Sequence, residues 1–209
     1  MPQTRRSILA GAPAIALGMA GLVTPGVMRR ALAADPRMSE RALGNPNAKV
    51  RVEEWYSMTC THCARFAADV FPKVREKLID TGRIYYVFCD YPLDRVALMA
   101  TMVARSLPVE RYEPFVLSLL SSQDRWAYNQ DVDPQAQLQK MAALAGMSAD
   151  QFTATINDEA LRQAIMAEED SATARYKIDS TPTFRFNAIQ VSGEISFDTF
   201  SANVDKAAA

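Results

Sequence analysis

The pair Cys60 and Cys63 stands between a predicted strand and a predicted helix, and this position constrains the fold more than any other feature. Residues 49–56 place Val50, Val52 and Tyr56 on one side of a strand and Trp55 on the other. Residues 63–80 have apolar side chains at helical spacing. Residues 83–89 are rich in Ile, Tyr, Val and Phe and predict a second strand. This order predicts a right-handed parallel crossover.

The rest of the chain predicts a helical block and then a strand hairpin. The helical block, residues 94–176, is dominated by Ala, Leu, Met, Gln and Glu. Breaks that divide it into about five helices fall near four residues: Pro108, Pro134, Gly146 and Asn157. Residues 183–187 and 189–192 have strand character, and residues 197–206 predict a closing helix. The helical block therefore interrupts a small α/β unit between its two halves.

Several residues predict local backbone geometry. Pro72 should kink the long helix, because it lacks a backbone N–H. Ser148 and Asp158 are expected to cap helices, since an acidic residue follows each in the first turn. Asn187-Ala188 occupies the place of a frequent Asn-Gly turn, so we expect a longer hairpin loop.

Residues 1–34 have the pattern of a cleavable signal peptide. Arg5 and Arg6 precede an apolar, Ala- and Gly-rich run, and small residues near Ala33 offer a cleavage site. The run is shorter than the ~20 residues of a spanning helix, which favours removal over anchoring. The arginine doublet resembles the twin-arginine export signal, with general secretory export as the alternative. We expect a periplasmic protein that begins with a polar lead-in, residues 35–47.

Charge and cysteine count narrow the possible functions. The 23 basic and 24 acidic residues nearly balance, whereas nucleic-acid binding through a basic surface needs a positive excess. We therefore predict no nucleic acid partner. Three cysteines, two of them in a C-x-x-C, indicate an active pair and one further thiol, Cys89. We interpret Cys89 as a small buried apolar group on a strand, with a regulatory thiol as the alternative.

The chemistry of the pair follows from its place at the start of a helix. A helix N-terminus supplies unpaired N–H groups and partial positive charge, and both favour a thiolate at Cys60. His62, when protonated, would add a second positive influence. A thiolate attacks disulfides, and Cys63 is near enough in sequence to resolve a mixed disulfide. The pattern favours a redox pair.

Other uses of the same residues are less consistent with the sequence. A zinc site normally needs four ligands, and His62 stands awkwardly between the two cysteines. A c-type haem attachment needs C-x-x-C-H, whereas Ala64 follows Cys63. A structural disulfide at Cys60 and Cys63 remains an alternative. We predict no metal and no cofactor besides a redox-active Cys60–Cys63 disulfide.

Four segments together resemble the DsbA family. They are residues 54–63, with an acidic strand end and C-x-H-C; 88–93, a strand and turn; 180–184, a cis-proline segment; and 191–193, a hairpin end. The resemblance implies an α/β thioredoxin fold with a helical domain inserted between its β-α-β and β-β-α halves. The implied boundaries are 35–93, 94–176 and 177–209. One departure is Thr61, which stands where strong oxidants of the family often have Pro.

The resemblance also implies a role for each candidate residue. Cys60 would be the exposed nucleophile and Cys63 the resolving thiol. Pro182 would be cis and lie against the pair, and the backbone of Thr181 would pair with an extended client segment. Glu54 would be a buried acid that exchanges protons with Cys63, with a solvated strand end as the alternative.

The implied function is that of a periplasmic dithiol oxidase. Its clients would be unfolded or partly folded exported proteins with thiols, and a DsbB-like membrane reoxidase would pass its electrons to quinone. A reductase or isomerase with the same site is one alternative. Isomerases of this fold usually carry a dimerisation domain, for which the short lead-in leaves no room. A non-enzymatic binder of unfolded exported chains is the other alternative.

Overall fold

A mixed five-stranded sheet forms the centre of the computed structural model, which describes residues 35–209. Its strands are β1 (Arg41–Gly44), β2 (Val50–Tyr56), β3 (Ile84–Asp90), β4 (Thr183–Phe186) and β5 (Ile189–Ser192). The strand order is β1-β3-β2-β4-β5, in which β2 and β3 are parallel and the other neighbours antiparallel. The signal-peptide prediction, residues 1–34, lies outside the described residues.

The long helix between β2 and β3 changes its hydrogen-bonding pattern along its length. This run, α1, consists of the α-helical segments Thr61–Arg65 and Phe71–Val74 alternating with the π-helical segments Phe66–Val70 and Arg75–Ile79. The other helices are α2 (Arg95–Ser106), α3 (Val109–Leu120), α4 (Gln123–Trp126), α5 (Pro134–Leu144), α6 (Ala149–Ile156), α7 (Glu159–Tyr176) and α8 (Phe197–Ala208). The order of elements therefore confirms the predicted α/β architecture with its helical insertion.

The disturbance expected at Pro72 takes the form of a wide helical turn. Proline has no backbone N–H, and its ring collides with the carbonyl four residues earlier in a regular α-helix. The N–H of Phe71 reaches the carbonyl of Phe66, five residues back, so the π-helical turn before Pro72 makes room for the ring.

Three local expectations were wrong. The lead-in contains β1, which pairs with β3 at the sheet edge. The hairpin loop has only two residues, because Asn187 adopts the left-handed φ of 54° and anchors the turn by accepting the N–H of Arg51 at 2.9 Å. The helical block has six helices within residues 94–176. The extra break follows α3, where the hydroxyls of Ser121 and Ser122 both donate to the carbonyl of Ser118.

The predicted helix caps are confirmed. The Ser148 hydroxyl accepts the N–H of Gln151, whose side chain accepts the N–H of Ser148 in return, a capping box that begins α6. Asp158 accepts the N–H of Leu161 and begins α7. These contacts span three residues of sequence, which explains why the sequence alone reveals them.

Aromatic side chains fix α1 and α8 on one face of the sheet. The Phe66 ring lies 4.6 Å from the Phe184 ring, and the Phe200 ring lies 4.9 Å from the Phe186 ring, measured between centroids. All four side chains are almost fully buried. Since burial of a Phe side chain stabilises a fold by about 1.5–3 kcal/mol, this cluster holds the start of α1 firmly against β4.

A buried ionic cluster joins the sheet to the helical block. Asp90, at the end of β3, forms an ion pair with Arg105 of α2, and both side chains are buried. The hydroxyls of Tyr56 and Tyr112 donate to the same Asp90 carboxylate at 3.1 and 2.8 Å. Arg105 also donates to the Ser39 carbonyl at 2.8 Å, which connects the lead-in, residues 35–47, to this cluster. Each buried charge therefore has partners on other elements, as burial requires.

We predict that Arg105→Met destabilises the protein strongly. The substitution leaves the Asp90 carboxylate buried without its counter-ion, which should lower the free energy of unfolding by about 3–5 kcal/mol. Urea denaturation measures the change. The control is Arg83→Met, which breaks an ion pair with Asp205 whose side chains are 48% and 62% exposed; its cost should stay below about 1 kcal/mol. Equal stability of the two variants would contradict the prediction.

Candidate active site

The cysteine pair lies where β2 ends and α1 begins. Cys60 is the N-cap of α1, and its Sγ accepts the backbone N–H of Cys63 at 3.3 Å. Both cysteines are thiols here, so the structure describes the reduced form. The parallel pairing of β2 and β3 places Asp90 opposite Tyr56, so both strands end beside the pair. The predicted position at a helix N-terminus is therefore confirmed.

The surroundings of Cys60 stabilise its thiolate. They lower the pKa of Cys60 to about 5, chiefly through its hydrogen bond with the Cys63 side chain, with smaller contributions from the Thr181 side chain and from the backbone N–H groups of Cys63 and His62. Burial opposes this shift. Although the residue is only 7% exposed, the hydrogen bonds outweigh the cost of burial.

Cys63 has the opposite character. It is fully buried, and burial raises its pKa far above the ordinary value. The negative charges of Glu54 and Cys60 act in the same direction. The site therefore holds one sulfur that favours the anion and one that favours the thiol.

Glu54 is a buried acid near both cysteines. Only 5% of the residue is exposed, which excludes the alternative of a solvated strand end. Burial raises the pKa of Glu54 to about 7, the Tyr86 hydroxyl that donates to its Oε2 opposes the rise, and the Cys60 charge adds to it. An acid of this pKa can both release and accept a proton near neutral pH.

The His62 imidazole lies at the rim of the site. Its side chain is 59% exposed, and its Nδ1 lies 2.6 Å from the Arg65 guanidinium and 3.2 Å from a carboxylate oxygen of Glu194. Arginine only donates, so Nδ1 accepts in this arrangement. The backbone N–H of His62 contributes to the thiolate of Cys60, whereas the influence of a protonated imidazole stays a prediction.

A cis peptide joins Thr181 to Pro182, as the resemblance implied. The carbonyl oxygen of Thr181 lies 3.2 Å from the Sγ of Cys60 and accepts the thiol proton. The N–H of Gly193 donates to the Pro182 carbonyl at 2.8 Å, which ties the segment to the end of β5. Thr181 is thus brought to Cys60 from a distant part of the chain.

Two side chains of the helical block that no sequence motif indicates hold the loop before Cys60. The Gln123 carboxamide is buried and donates to the carbonyls of Met58 and Cys60 at 2.9 and 3.0 Å. The Tyr128 hydroxyl donates to the carbonyl of Thr59. Nothing in the sequence near either residue indicates this role, since the partners lie more than 60 residues away. The insertion therefore shapes the redox site directly.

Cys89 lies apart from the pair. It packs beside Trp55 and Tyr91, in a cluster separate from the core that contains Cys60 and Cys63. Burial raises the pKa of the Cys89 thiol well above its ordinary value. A thiol with a raised pKa stays protonated and reacts slowly. Cys89 is half-buried rather than buried, so its interpretation as a small buried apolar group holds only in part.

Within residues 35–209, no group of three or more His, Cys, Asp or Glu side chains is placed to hold a metal ion. In the same range, no helix combines the length and the apolar character needed to cross a bilayer.

Comparison with known proteins identifies relatives of this arrangement. A family model described as thioredoxin matches residues 37–206. The crystal structure of Wolbachia pipientis alpha-DsbA1 is 31% identical, with a TM-score of 0.74 over 84% of this chain and 94% of that one. A Rickettsia felis relative provisionally named protein-disulfide oxidoreductase is 30% identical over 81% of this chain, which spans 60% of that relative's length. The structure of BdbD from Bacillus subtilis, 19% identical with a TM-score of 0.71, shares the fold.

The sheet, the C-x-x-C pair at the head of α1 and the family model over residues 37–206 define a protein of the thioredoxin class. Within that class, the chain belongs to the DsbA family, as the resemblance of its motifs predicted.

We predict that reduced protein shows a thiolate titration with a midpoint at about pH 5. Because the pKa of Cys60 is lowered, thiolate stabilisation is complete above its ordinary value and is lost as the pH falls through 5. Between pH 7 and pH 4 the reduced form should lose about 3 kcal/mol of stability relative to the oxidised form. Absorbance at 240 nm and paired denaturation curves measure both. Cys60→Ser should abolish the transition, and a midpoint near 8 would refute the assignment.

We also predict that Gln123→Met raises the pKa of Cys60. The substitution leaves the buried carbonyls of Met58 and Cys60 without their donors, so the loop should shift and stability should fall by about 1–3 kcal/mol. Gln163→Met is the matched control, because that glutamine lies exposed on α7 and bonds only to Glu159. An unchanged thiolate titration in Gln123→Met would show that the insertion does not tune the site.

Proposed function

We propose that this chain is a periplasmic dithiol oxidase that introduces disulfides into exported client proteins. The observation that carries the proposal is the opposite character of the two sulfurs. Cys60 favours the thiolate, whereas Cys63 is buried and favours the thiol. A disulfide between such a pair directs attack to Cys60, and its reduction is favoured because the product contains a stabilised anion.

The exchange proceeds in two displacements. A client thiolate attacks the Sγ of Cys60, a client–Cys60 disulfide forms, and the Cys60–Cys63 bond breaks with its electron pair passing to Cys63. The Cys63 sulfur takes up a proton, and Glu54 is the buried acid placed to deliver it. A second client thiolate then attacks the client sulfur, which releases Cys60 as a thiolate. The client is oxidised by two electrons and the enzyme is reduced by two.

The pKa of Cys60 favours the oxidase direction. At pH 7 a pKa of about 5 stabilises the reduced form by about 3 kcal/mol relative to an unperturbed thiol. For a two-electron couple this corresponds to about 60 mV towards a stronger oxidant. The Cys60–Cys63 disulfide is therefore reduced more readily than the disulfide of a pair whose thiols have ordinary pKa values.

The segment around Thr181 and Pro182 would receive the client. Its carbonyl contact with Cys60 places the backbone of Thr181 beside the attacked sulfur, where an extended client segment could pair with it. Leu93 and Tyr128, both about half exposed, offer apolar contact beside the loop that ends at Cys60. Backbone pairing with apolar contacts suits unfolded or partly folded clients of many sequences.

Turnover requires a partner that removes two electrons from the reduced pair. We propose a DsbB-like membrane reoxidase that passes them to quinone, as in the family that the chain belongs to. The export pattern of residues 1–34 supports a periplasmic location, where such a partner and thiol-bearing clients meet.

The equilibrium of the pair with glutathione tests the proposal. We predict a reduction potential well above the roughly −270 mV of thioredoxin, and rapid oxidation of a reduced client peptide by the oxidised protein. Cys60→Ser should abolish client oxidation, and Cys89→Ser, the matched control, should retain it because that thiol lies in a separate cluster. A potential near that of thioredoxin would indicate a reductase. Full activity of Cys60→Ser would indicate a binder of unfolded chains.

A further inference from the structure

A basic cleft lies between the lead-in, the α2–α3 junction and the α5–α6 junction. Its volume is about 810 Å³. Four of the side chains that line it carry positive charge: Arg37, Arg41, Arg105 and Arg111. Among the described residues, no Asp or Glu lines this cleft, and Cys60, Cys63 and Glu54 are not part of its wall.

Within the described part of the chain, two of the four guanidinium groups have a carboxylate partner. Arg37 pairs with Asp35 and Asp158, and Arg105 pairs with Asp90. Over residues 35–209, neither Arg41 nor Arg111 has a carboxylate oxygen within 4 Å. Among the described residues, two guanidinium groups of the cleft therefore have no ion-pair partner, and Arg41 feels the charge of Asp90 only from a distance.

Arg41 is the less expected of the two, because it is only 3% exposed. Its guanidinium donates to the hydroxyl of Ser39 at 2.7 Å and to the carbonyls of Arg37 and Arg105 at 3.2 and 3.3 Å. No atom of residues 35–209 forms a hydrogen bond with its Nε. A buried charge is costly without a counter-ion, so this position favours an anion in the cleft.

Arg111 is held in place over the cleft. Its guanidinium donates to the carbonyl of Ala145 at the end of α5. It also lies across Gly146, where an added Cβ would approach the Arg111 Nη1 to 2.1 Å. Gly146, with a φ of 90°, therefore leaves the space that this side chain occupies. The backbone of Ala145 and Gly146 therefore fixes the position of the Arg111 guanidinium.

The N-terminus of α3 borders the same cleft. This helix has 12 residues, and its N-cap, Pro108, provides no side-chain acceptor for the first N–H groups. Pro108 and Val109 both line the cleft. Uncapped N–H groups at the positive end of a helix favour a bound anion.

We propose that this cleft binds a phosphate group. A phosphate group presents several charged oxygens to the two guanidinium groups that lack carboxylates; free phosphate and monoesters carry between one and two negative charges near neutral pH, and a phospholipid diester carries one. The group could belong to free phosphate or a small phosphate ester, or to the headgroup of an anionic phospholipid. The site is distinct from the redox pair, and occupancy offsets the buried charge of Arg41.

Thermal unfolding of the full chain in inorganic phosphate tests the site. At constant ionic strength set with sodium chloride, the melting temperature should rise with phosphate and saturate, because the ligand binds the folded state. Arg111→Gln should weaken the apparent affinity roughly tenfold, since it removes one charge-assisted hydrogen bond. Arg83→Gln, an exposed arginine outside the cleft, should leave it unchanged.

A second arm separates the two sources of phosphate. Vesicles of phosphatidylglycerol and of phosphatidylcholine are sedimented with wild type and Arg111→Gln. If wild type sediments with phosphatidylglycerol vesicles but not with phosphatidylcholine vesicles, and Arg111→Gln sediments with neither, the site binds a headgroup. If wild type sediments with neither kind of vesicle but still binds inorganic phosphate, the site binds a soluble phosphate. Client oxidation by Arg111→Gln should equal that of wild type, so the result is independent of the redox proposal. No saturable stabilisation and no sedimentation, or equal responses of Arg111→Gln and wild type, would overturn the inference.

Discussion

The hydrogen bonds that the start of α1 donates to the sulfur of Cys60 are the interaction on which the site depends. The residue is the N-cap of its helix, a place where a side chain must accept N–H groups that lack partners. A neutral hydroxyl or amide usually fills this place, and here a thiol does so. The Cys63 side chain lowers the pKa of Cys60 most, and capping adds to this effect because the helix is better capped by the anion than by the thiol.

Contacts with the rest of the molecule hold Cys60 in its position at the start of α1. The aromatic cluster fixes α1 against the sheet, and the buried ionic cluster around Asp90 fixes the helical block against the ends of β2 and β3. Gln123 and Tyr128 then hold the backbone of the loop that leads to Cys60. The insertion is thus a structural support for the reactive sulfur.

Burial separates the roles of three neighbouring acids. Cys63 and Glu54 are both buried, and their protonated forms are favoured because a charge there would lose its hydration. Cys60 is buried almost as deeply, yet its many donors reverse the effect. The same low-dielectric surroundings therefore hold a carboxylic acid, a protonated thiol and a thiolate within one site.

Local features of the fold could be predicted from the sequence, and non-local ones could not. The C-x-x-C at a helix start, the strands beside it and the caps at Ser148 and Asp158 depend on residues a few positions apart, so the pattern reveals them. β1 and the two-residue turn at Asn187 were missed because an edge strand of four residues and an anchored Asn leave weak signals.

The sequence by itself determined the kind of chemistry, because the spacing of Cys60 and Cys63 and their place between strand and helix lie within one short segment. Only the tertiary structure decided the state of each group. The burial of Glu54, the approach of Thr181 to Cys60 and the contacts of Gln123 join segments up to 121 residues apart. Such contacts depend on how the elements pack, and a one-dimensional pattern does not record packing.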